Sequence, residues 1–240
     1  MLTKKELTFK KGLYDALPIA LGYFSVSLAF GMIAVTARGL KIWAPILTSF
    51  TNFTGTGQFV GIDMIWGMKS FYEIALTLFV INARYILMSL SLSQRLEKKI
   101  TMWQRLIIAF GNTDEVFAVA MSDGQKLNYK YMLGLILGSF AGWMSGTIAG
   151  SVLGDFMPQS FVSAMGIMLY AMFIAIVVPP AKQNIAVVIT IFISAVMSCI
   201  FKYVPVINKT SGGFAVIICG VFSAVLASIL FPIKAGEDSE

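Results

Sequence analysis

Residues 79–85 read Phe-Val-Ile-Asn-Ala-Arg-Tyr, so that Arg84 lies in the middle of an apolar run. The next apolar run carries Asn-Thr-Asp-Glu at residues 112–115, again near its midpoint. A charged side chain at that depth of a bilayer costs about 3 kcal/mol or more, and chains keep such residues where they face a protein interior and have a role. The two stretches therefore predict an integral membrane protein with polar groups inside its helix bundle.

The composition of the whole chain supports this class. Of its 240 residues, 58% are hydrophobic and only 12% are charged, which is too little polar surface for a soluble domain of this size. Runs of about 18 or more apolar residues are read as membrane helices. The sequence predicts an all-α, polytopic helix bundle of seven to eight hydrophobic segments, at about 16–37, 42–66, 71–93, 103–121, 130–153, 161–178, 184–204 and 213–232.

The predicted organisation is a cytoplasmic N-terminal tail (1–15), one transmembrane domain (16–232) and a short C-terminal tail (233–240). Four lysines precede the first segment, at positions 4, 5, 10 and 11, and favour a cytoplasmic N-terminus. The first segment is long and has no evident cleavage site, so we interpret it as a retained helix. The net charge of +6 is typical of loop lysines beside anionic lipid, and no nucleic-acid partner is expected.

Segment two contains the stretch 51–59, Thr-Asn-Phe-Thr-Gly-Thr-Gly-Gln-Phe, which is a poor helix former. Non-helical backbone at membrane depth is tolerated only inside protein or beside a water-filled cavity, and broken helices often form substrate sites in secondary transporters. Segment two is therefore predicted to be broken or re-entrant. Close packing at the glycines is the alternative, although packing alone would not need the amides. The predicted substrate-binding residues here are Asn52, Thr54, Gly55, Thr56, Gly57 and Gln58.

Segment five carries a glycine at every fourth residue, a spacing that lets helices approach closely. Each four-residue step drifts about 40° around the helix axis, so the sequence predicts two neighbouring helices or one strongly crossing helix. The stripe could also let segment five slide during transport. The predicted packing residues are Gly134, Gly138, Gly142, Gly146, Gly150 and Gly154.

Segment three has a polar stripe, because Asn82, Tyr85, Ser89 and Ser93 share one helical face. This face is predicted to point inward, and the predicted substrate-binding residues of segment three are Asn82, Arg84 and Tyr85. Arg84 needs a counter-charge or an anionic ligand. A permanent ion pair and a pair that opens with substrate or proton both remain possible. The candidate partners, which are also the predicted proton- or ion-coupling residues, are Asp114, Glu115 and Asp63.

Adjacent residues on a helix point about 100° apart, so one of Asp114 and Glu115 is expected to pair with Arg84 while the other faces the pathway. The chain has no histidine, which leaves carboxylates, with water or Tyr85, as the proton relay. The absence of histidine also excludes a Ser-His-Asp triad and a histidine metal site. No phosphate-binding loop motif occurs. We expect no enzyme activity, no catalytic residue, no cofactor and no metal.

The ordered motifs 53–59, 82–85 and 113–115, with 17–18, 29–31 and 173–179 around them, resemble the AzlC family over about residues 12–205. The resemblance implies ion-gradient-driven export of leucine, isoleucine, valine or methionine-like amino acids across the bacterial inner membrane. It also implies a small membrane partner of the AzlD type. The chain departs from the family pattern at Tyr85, where many relatives have histidine, and in a glycine motif richer in threonine.

The residues suit a zwitterionic substrate. Arg84 and the backbone of 55–57 could bind a carboxylate, and Asp114 or Glu115 could bind an ammonium group. Phe53, Phe59 and Tyr85 could line an apolar side chain. The leading hypothesis is a secondary amino acid exporter. The alternatives are a gated channel for a small polar solute and a structural membrane subunit that does not transport.

Overall fold

The computed structural model describes residues 7–122, 125–156, 160, 174, 178, 181–182, 184–204 and 212–231. These residues form helices and contain no β-strand; Leu96 and Leu127 make one isolated bridge. The all-α prediction is therefore confirmed for the described part of the chain. The predicted segment six, apart from residues 174 and 178, lies outside the described residues, as do residues 1–6 and the C-terminal tail.

The helices are α1 (Phe9–Met32, continued by a π-helical turn over Ile33–Ala37), α2 (Trp43–Thr51), α3 (Gly55–Trp66), α4 (Phe71–Asn82), α5 (Arg84–Arg95), α6 (Met102–Phe110), α7 (Asp114–Ser122), α8 (Tyr129–Leu153), α9 (Ile185–Tyr203) and α10 (Gly212–Leu230). Within the described part of the chain, four stretches are long and apolar enough to cross a membrane. They confirm a polytopic membrane protein and comprise Phe9–Ala37, Phe71–Arg95, Tyr129–Leu153 and Ile185–Tyr203.

The chain packs into two units. The first contains Met1–Trp66 and Asn82–Tyr170, and the second contains Gly67–Ile81 and Ala171–Glu240. Within the second unit, α9 and α10 pack against each other. The first unit contains every residue of the candidate site and is built around α1 and α8.

The glycine stripe of α8 lies against α1 along its whole length. A Cβ atom added to Gly134 would lie 2.2 Å from the Phe9 carbonyl oxygen, and one added to Gly154 would lie 3.1 Å from Thr36. The two helices therefore run in the same direction. The expectation of two neighbours or a strongly crossing helix is corrected, because one helix follows the stripe. The reason is that α1 has its own small residues at a similar spacing, so both stripes wind together; these residues are Gly12, Ala16, Ala20, Ser27 and Gly31.

Segment two is interrupted, but the interruption precedes the two glycines. The helix stops after Thr51 and resumes at Gly55, so the non-helical residues are 52–54. Asn52 Oδ1 accepts hydrogen bonds from the Thr54 backbone N–H (3.1 Å) and the Thr54 hydroxyl (2.8 Å), which gives the turn an alternative to helix bonding. The glycines provide space: a Cβ at Gly55 would lie 3.0 Å from the Trp143 ring.

Segments three and four are interrupted as well, although the sequence predicts one helix for each. Ala83 separates α4 from α5, and residues 111–113 separate α6 from α7. Thr113 Oγ1 accepts a hydrogen bond from the Val116 N–H (3.4 Å) and so caps α7. Gly111 leaves room for the Ile136 side chain, which would lie 2.3 Å from a Cβ at this position. Half-helices therefore replace three of the predicted segments.

Candidate functional site

An ion pair joins the first residues of two half-helices. Arg84 begins α5, Asp114 begins α7, and Arg84 Nη2 lies 2.9 Å from Asp114 Oδ2. The partial positive charge at a helix N-terminus favours a carboxylate and disfavours a guanidinium. Asp114 therefore offsets the charge of Arg84 and the unfavourable position of that charge at the start of α5. Of the three acids predicted as partners, Asp114 is the one that the structure pairs with Arg84.

Glu115 makes a different contact, as expected for adjacent residues on a helix. Its Oε2 hydrogen-bonds the Tyr23 hydroxyl, which lies in the middle of α1 and is also 2.7 Å from Thr113 Oγ1. A hydroxyl carries one proton; Tyr23 therefore donates to the carboxylate while Thr113 donates to Tyr23. Sequence reasoning missed Tyr23. The available signal was a phenol deep in an apolar run, since a buried tyrosine hydroxyl usually has a partner.

Asp63 lies apart from this pair. Its Oδ1 accepts from Arg38 Nε (2.9 Å) and Nη2 (2.8 Å), and the Arg38 guanidinium stacks 4.3 Å from the Trp66 ring centroid. Asp63 is therefore not the counter-charge of Arg84. Both residues are near helix ends, where a charged pair can reach water, so this contact is typical of an interfacial anchor.

Aromatic side chains bring the two interruptions together. The Phe53 ring, which is 3% exposed, lies 5.7 Å from Tyr23 and 6.4 Å from Phe110. The aromatic cluster comprises Tyr23, Phe53, Phe110, Phe140 and Trp143. Phe53 is thus near the candidate site, as the sequence predicts. Phe59 instead packs on Phe30, at 5.2 Å.

Gln58 is part of a buried network that joins α2, α3 and α8. Its Oε1 accepts from Ser49 Oγ (2.7 Å), its Nε2 donates to the Asn52 carbonyl, and Trp143 Nε1 donates to Ser49 (3.1 Å). Thr147 completes the network, 2.9 Å from Ser49. Both ends of the Gln58 amide therefore already bond to protein, on either side of the interruption. Thr56 lies half-exposed in the first turn of α3.

Three buried polar atoms near the ion pair have no hydrogen-bond partner among the described residues. They are Asn82 Oδ1, Arg84 Nε and Asn112 Oδ1. Asn82 and Asn112 each precede a member of the ion pair by two residues, and Asn112 Nδ2 donates to Ser89 Oγ (3.1 Å). Buried polar groups are ordinarily hydrogen-bonded. A free donor on Arg84, with free acceptors two residues before each member of the ion pair, suits a ligand that carries both an ammonium and a carboxylate group.

The remaining predicted residues lie around this point. The Arg84 guanidinium lies 5.2 Å from the Tyr85 ring centroid, and its Nη2 is 3.5 Å from the Tyr85 hydroxyl, the outer limit of a hydrogen bond. A Cβ at Gly57 would lie 2.4 Å from Thr54 Oγ1 and 3.4 Å from Asn82 Nδ2. The first turn of α3 therefore lies beside Asn82.

A cavity of about 240 Å³ lies between α5 and α6. Ser89 and Ser93 line it from α5, and Arg105 lines it from α6, with apolar side chains between them. The polar stripe predicted for segment three thus borders a cavity. Because Ser89 also bonds Asn112, this cavity ends beside the candidate site.

The fold and this partly buried ion pair define a polytopic helical membrane protein with polar groups inside its helix bundle. Residues 18–157 match the family model described as AzlC protein, and the chain belongs to the AzlC family. It is 28% identical over 226 residues to the inner membrane protein YgaZ of Escherichia coli, covering 91% of this chain and 90% of that protein. The resemblance inferred from the motifs is confirmed.

Other relatives are named only as membrane proteins. The chain is 32% identical over 180 residues to an uncharacterized membrane protein of Archaeoglobus fulgidus, covering 74% of this chain and 78% of the relative. It is 29% identical over 153 residues to one of Helicobacter pylori, covering 56% and 66%. No solved structure matches the chain. Membership of this family of membrane proteins is consistent with a role in membrane transport.

Proposed function

We propose that this protein is a secondary transporter that exports branched-chain or other small apolar amino acids, driven by an ion gradient. The observation that carries the proposal is the Arg84–Asp114 pair with its three unbonded buried atoms. A permanent structural pair would need no free donor and acceptors around it. Membrane transport also agrees with membership of the AzlC family, and the proposal includes no enzyme activity.

The substrate is bound by complementary charges. Arg84 Nε donates to the substrate carboxylate, while Nη2 keeps its contact with Asp114. The oxygens of Asn82 and Asn112, together with Asp114, accept from the ammonium group. Phe53 provides an apolar wall. Hydrogen bonds that involve charged groups contribute about 1.5–3 kcal/mol each, which is enough to select amino acids against neutral solutes.

The coupling ion acts at the acids of α7. Asp114 is held by Arg84, whereas Glu115 bonds a neutral hydroxyl, so Glu115 can gain a proton without breaking an ion pair. A protonated Glu115 becomes a donor and has to rearrange its bond to Tyr23. Through that bond, proton binding on α7 affects α1, the helix that follows the glycine stripe.

We further propose that segment two is re-entrant. Phe53 lies beside Tyr23 in the middle of α1, Phe59 lies beside Phe30, and Asp63 pairs with Arg38 just beyond the end of α1. These three contacts support a path in which α3 returns toward the end of α1 from which α2 departs. The half-helices then meet in the interior, where secondary transporters commonly bind substrates.

The proposed location is the bacterial inner membrane with a cytoplasmic N-terminus, and the proposed partner is a small membrane subunit of the AzlD type. YgaZ is named as an inner membrane protein, and lysines precede α1. Co-purification of the tagged chain with a small hydrophobic protein encoded beside it checks the partner. Recovery of the tagged chain alone under gentle extraction would contradict it.

Counterflow in proteoliposomes tests the function directly. Unlabelled leucine or valine on the far side is expected to stimulate uptake of the labelled amino acid, because a carrier exchanges its substrates. An imposed ion gradient is expected to drive accumulation. Flux without stimulation by substrate on the far side would favour a gated channel. If neither exchange nor flux occurs with the AzlD-type partner present, the chain is a structural subunit.

Replacing Tyr23 by Phe is expected to lower ion-driven accumulation at least tenfold. The variant keeps the ring contacts with Phe53 and Trp143 but loses the bond to Glu115, which is worth about 1.5–3 kcal/mol. Exchange without a gradient should fall less, since substrate binding is intact. The matched control is Tyr14→Phe, which is 71% exposed on the same helix. Equal loss of exchange and accumulation would argue against a coupling role.

A further inference from the structure

We propose that α6 and α7 form a second re-entrant hairpin, which enters from the membrane face opposite to that of the α2–α3 hairpin, and that the two hairpin tips meet at Tyr23. The candidate site then lies between two hairpins, each of which reaches halfway into the membrane from its own face. The path of the two hairpins is inferred from contacts within the protein. Only their use as a substrate route depends on the proposed function.

The first step is that both ends of the α6–α7 pair lie at one end of α1. Asn128 Nδ2, before α8, donates to the Leu7 carbonyl before α1 (2.6 Å). The Leu127 N–H donates to the Arg95 carbonyl (2.9 Å), and the Glu97 N–H donates to the Leu127 carbonyl (3.0 Å). The loop that leads into α6 and the loop that leaves α7 are therefore hydrogen-bonded neighbours.

The second step is that the α6–α7 turn reaches the middle of α1. Each of these helices has nine residues, or about 14 Å at 1.5 Å per residue, which is half of the roughly 30 Å hydrocarbon core. At their junction Thr113 bonds Tyr23, and Phe110 lies 6.0 Å from Phe140. The chain goes halfway in and then returns.

The third step concerns the opposite end. The α2–α3 pair is anchored by Arg38–Asp63 beyond the C-terminal end of α1, while its tip residue Phe53 also contacts Tyr23. Along α8, Ser49 meets Thr147 and Phe53 meets Phe140. The α2–α3 tip thus approaches the middle of α8 from the end opposite to Leu127.

The direction of α8 agrees with two hairpins. Because α1 and α8 run in the same direction, the chain must cross the membrane an odd number of times between them. With both hairpins, the chain has to cross once between Trp66 and Arg95, and the stretch Phe71–Arg95 is long and apolar enough for that crossing. If segment two alone were re-entrant and segments three and four both crossed, α8 would run opposite to α1, which the contacts of Gly134 and Gly154 contradict.

The two hairpins define two routes to the site. From the face that contains Leu127, the cavity lined by Ser89, Ser93 and Arg105 leads to Asn112. From the other face, the first turn of α3 leads to Asn82. Between the two routes lie Tyr23, Phe53 and Trp143 of the aromatic cluster, which are buried. On the proposed function, an amino acid enters along α6 and leaves along α3.

Cysteine labelling with a membrane-impermeant maleimide tests the path. In a background that lacks the two native cysteines, Cys199 and Cys219, Lys98→Cys and Lys126→Cys flank the α6–α7 pair, while Lys41→Cys and Trp66→Cys flank the α2–α3 pair. All four positions are exposed. The first pair is expected to label from one face of the membrane and the second pair from the other face.

Labelling of Lys98→Cys and Lys126→Cys from opposite faces would overturn the second hairpin. Labelling of all four from one face would overturn the inverted arrangement. Where a variant does not express, Glu97→Cys and Gln125→Cys replace the first pair. In the same background, Ser93→Cys is expected to label only from the Lys98 face; labelling from the other face would overturn the route along α6. If the protein shows this labelling pattern but no counterflow, the two hairpins are supported and the proposed transport function is contradicted.

Discussion

Substitution of Arg84 by Gln is expected to reduce amino acid counterflow at least tenfold. The variant removes the cation that binds the substrate carboxylate and leaves Asp114 without its partner at 2.9 Å. A lost hydrogen bond to a charged group costs about 1.5–3 kcal/mol, and 1.4 kcal/mol corresponds to tenfold. The stability cost should be below the roughly 3–5 kcal/mol of a fully buried pair, because these side chains are 38% and 24% exposed.

The double variant Arg84→Gln with Asp114→Asn separates binding from assembly. It removes both charges together, so expression and thermal stability should return toward wild type while transport stays lost. A structural ion pair predicts instead that transport returns with stability. The matched control is Arg38→Gln with Asp63→Asn, a second arginine–aspartate pair in the same unit, which should transport normally. Loss of coupling in that control would restore Asp63 as a coupling residue.

Substitution of Gly146 by Leu is expected to prevent the first unit from assembling. A Cβ at this position would already lie 2.1 Å from Ser27 Oγ and 2.3 Å from the Phe24 carbonyl oxygen. The second contact is with backbone, so the helices have to separate. Extra methylenes in a packed site cost about 1–3 kcal/mol and occasionally more. Leucine adds a branched side chain beyond a Cβ that already meets backbone, so its cost should be well above that of alanine and a large share of a total stability of about 5–15 kcal/mol. We expect little folded protein by size-exclusion chromatography in detergent.

Gly22→Leu is the matched control, since a Cβ at Gly22 on α1 meets nothing within 4 Å. The milder pair Gly146→Ala and Gly22→Ala gives a measurable difference if the leucine variant does not fold. A loss of 1–3 kcal/mol lowers the Tm by roughly 2–12 °C for a chain of this size, and only Gly146→Ala should show it. Equal Tm values for the two alanine variants would contradict the close packing of α1 on α8.

The sequence predicted those features that depend on local composition. The apolar runs predicted a helical membrane protein, and the four-residue glycine spacing predicted close helix contact. Arg84 was expected to meet an acid, and the structure pairs it with Asp114. The interruption of segment two was expected near Gly55 and occurs at residues 52–54. The interruptions at Ala83 and at residues 111–113 carry a weaker local signal, because their neighbours form helices readily.

Partner choice was not predictable from local composition. Asp63 and Asp114 are equivalent acids in a linear sequence, yet Asp63 binds Arg38, and the Tyr23 contact with Glu115 joins residues 92 positions apart. Composition determines which segments enter the bilayer, because hydrocarbon thickness and the cost of buried charge act on each segment separately. Only the tertiary structure decided which charges meet, because that depends on where each half-helix ends against the long α1–α8 pair.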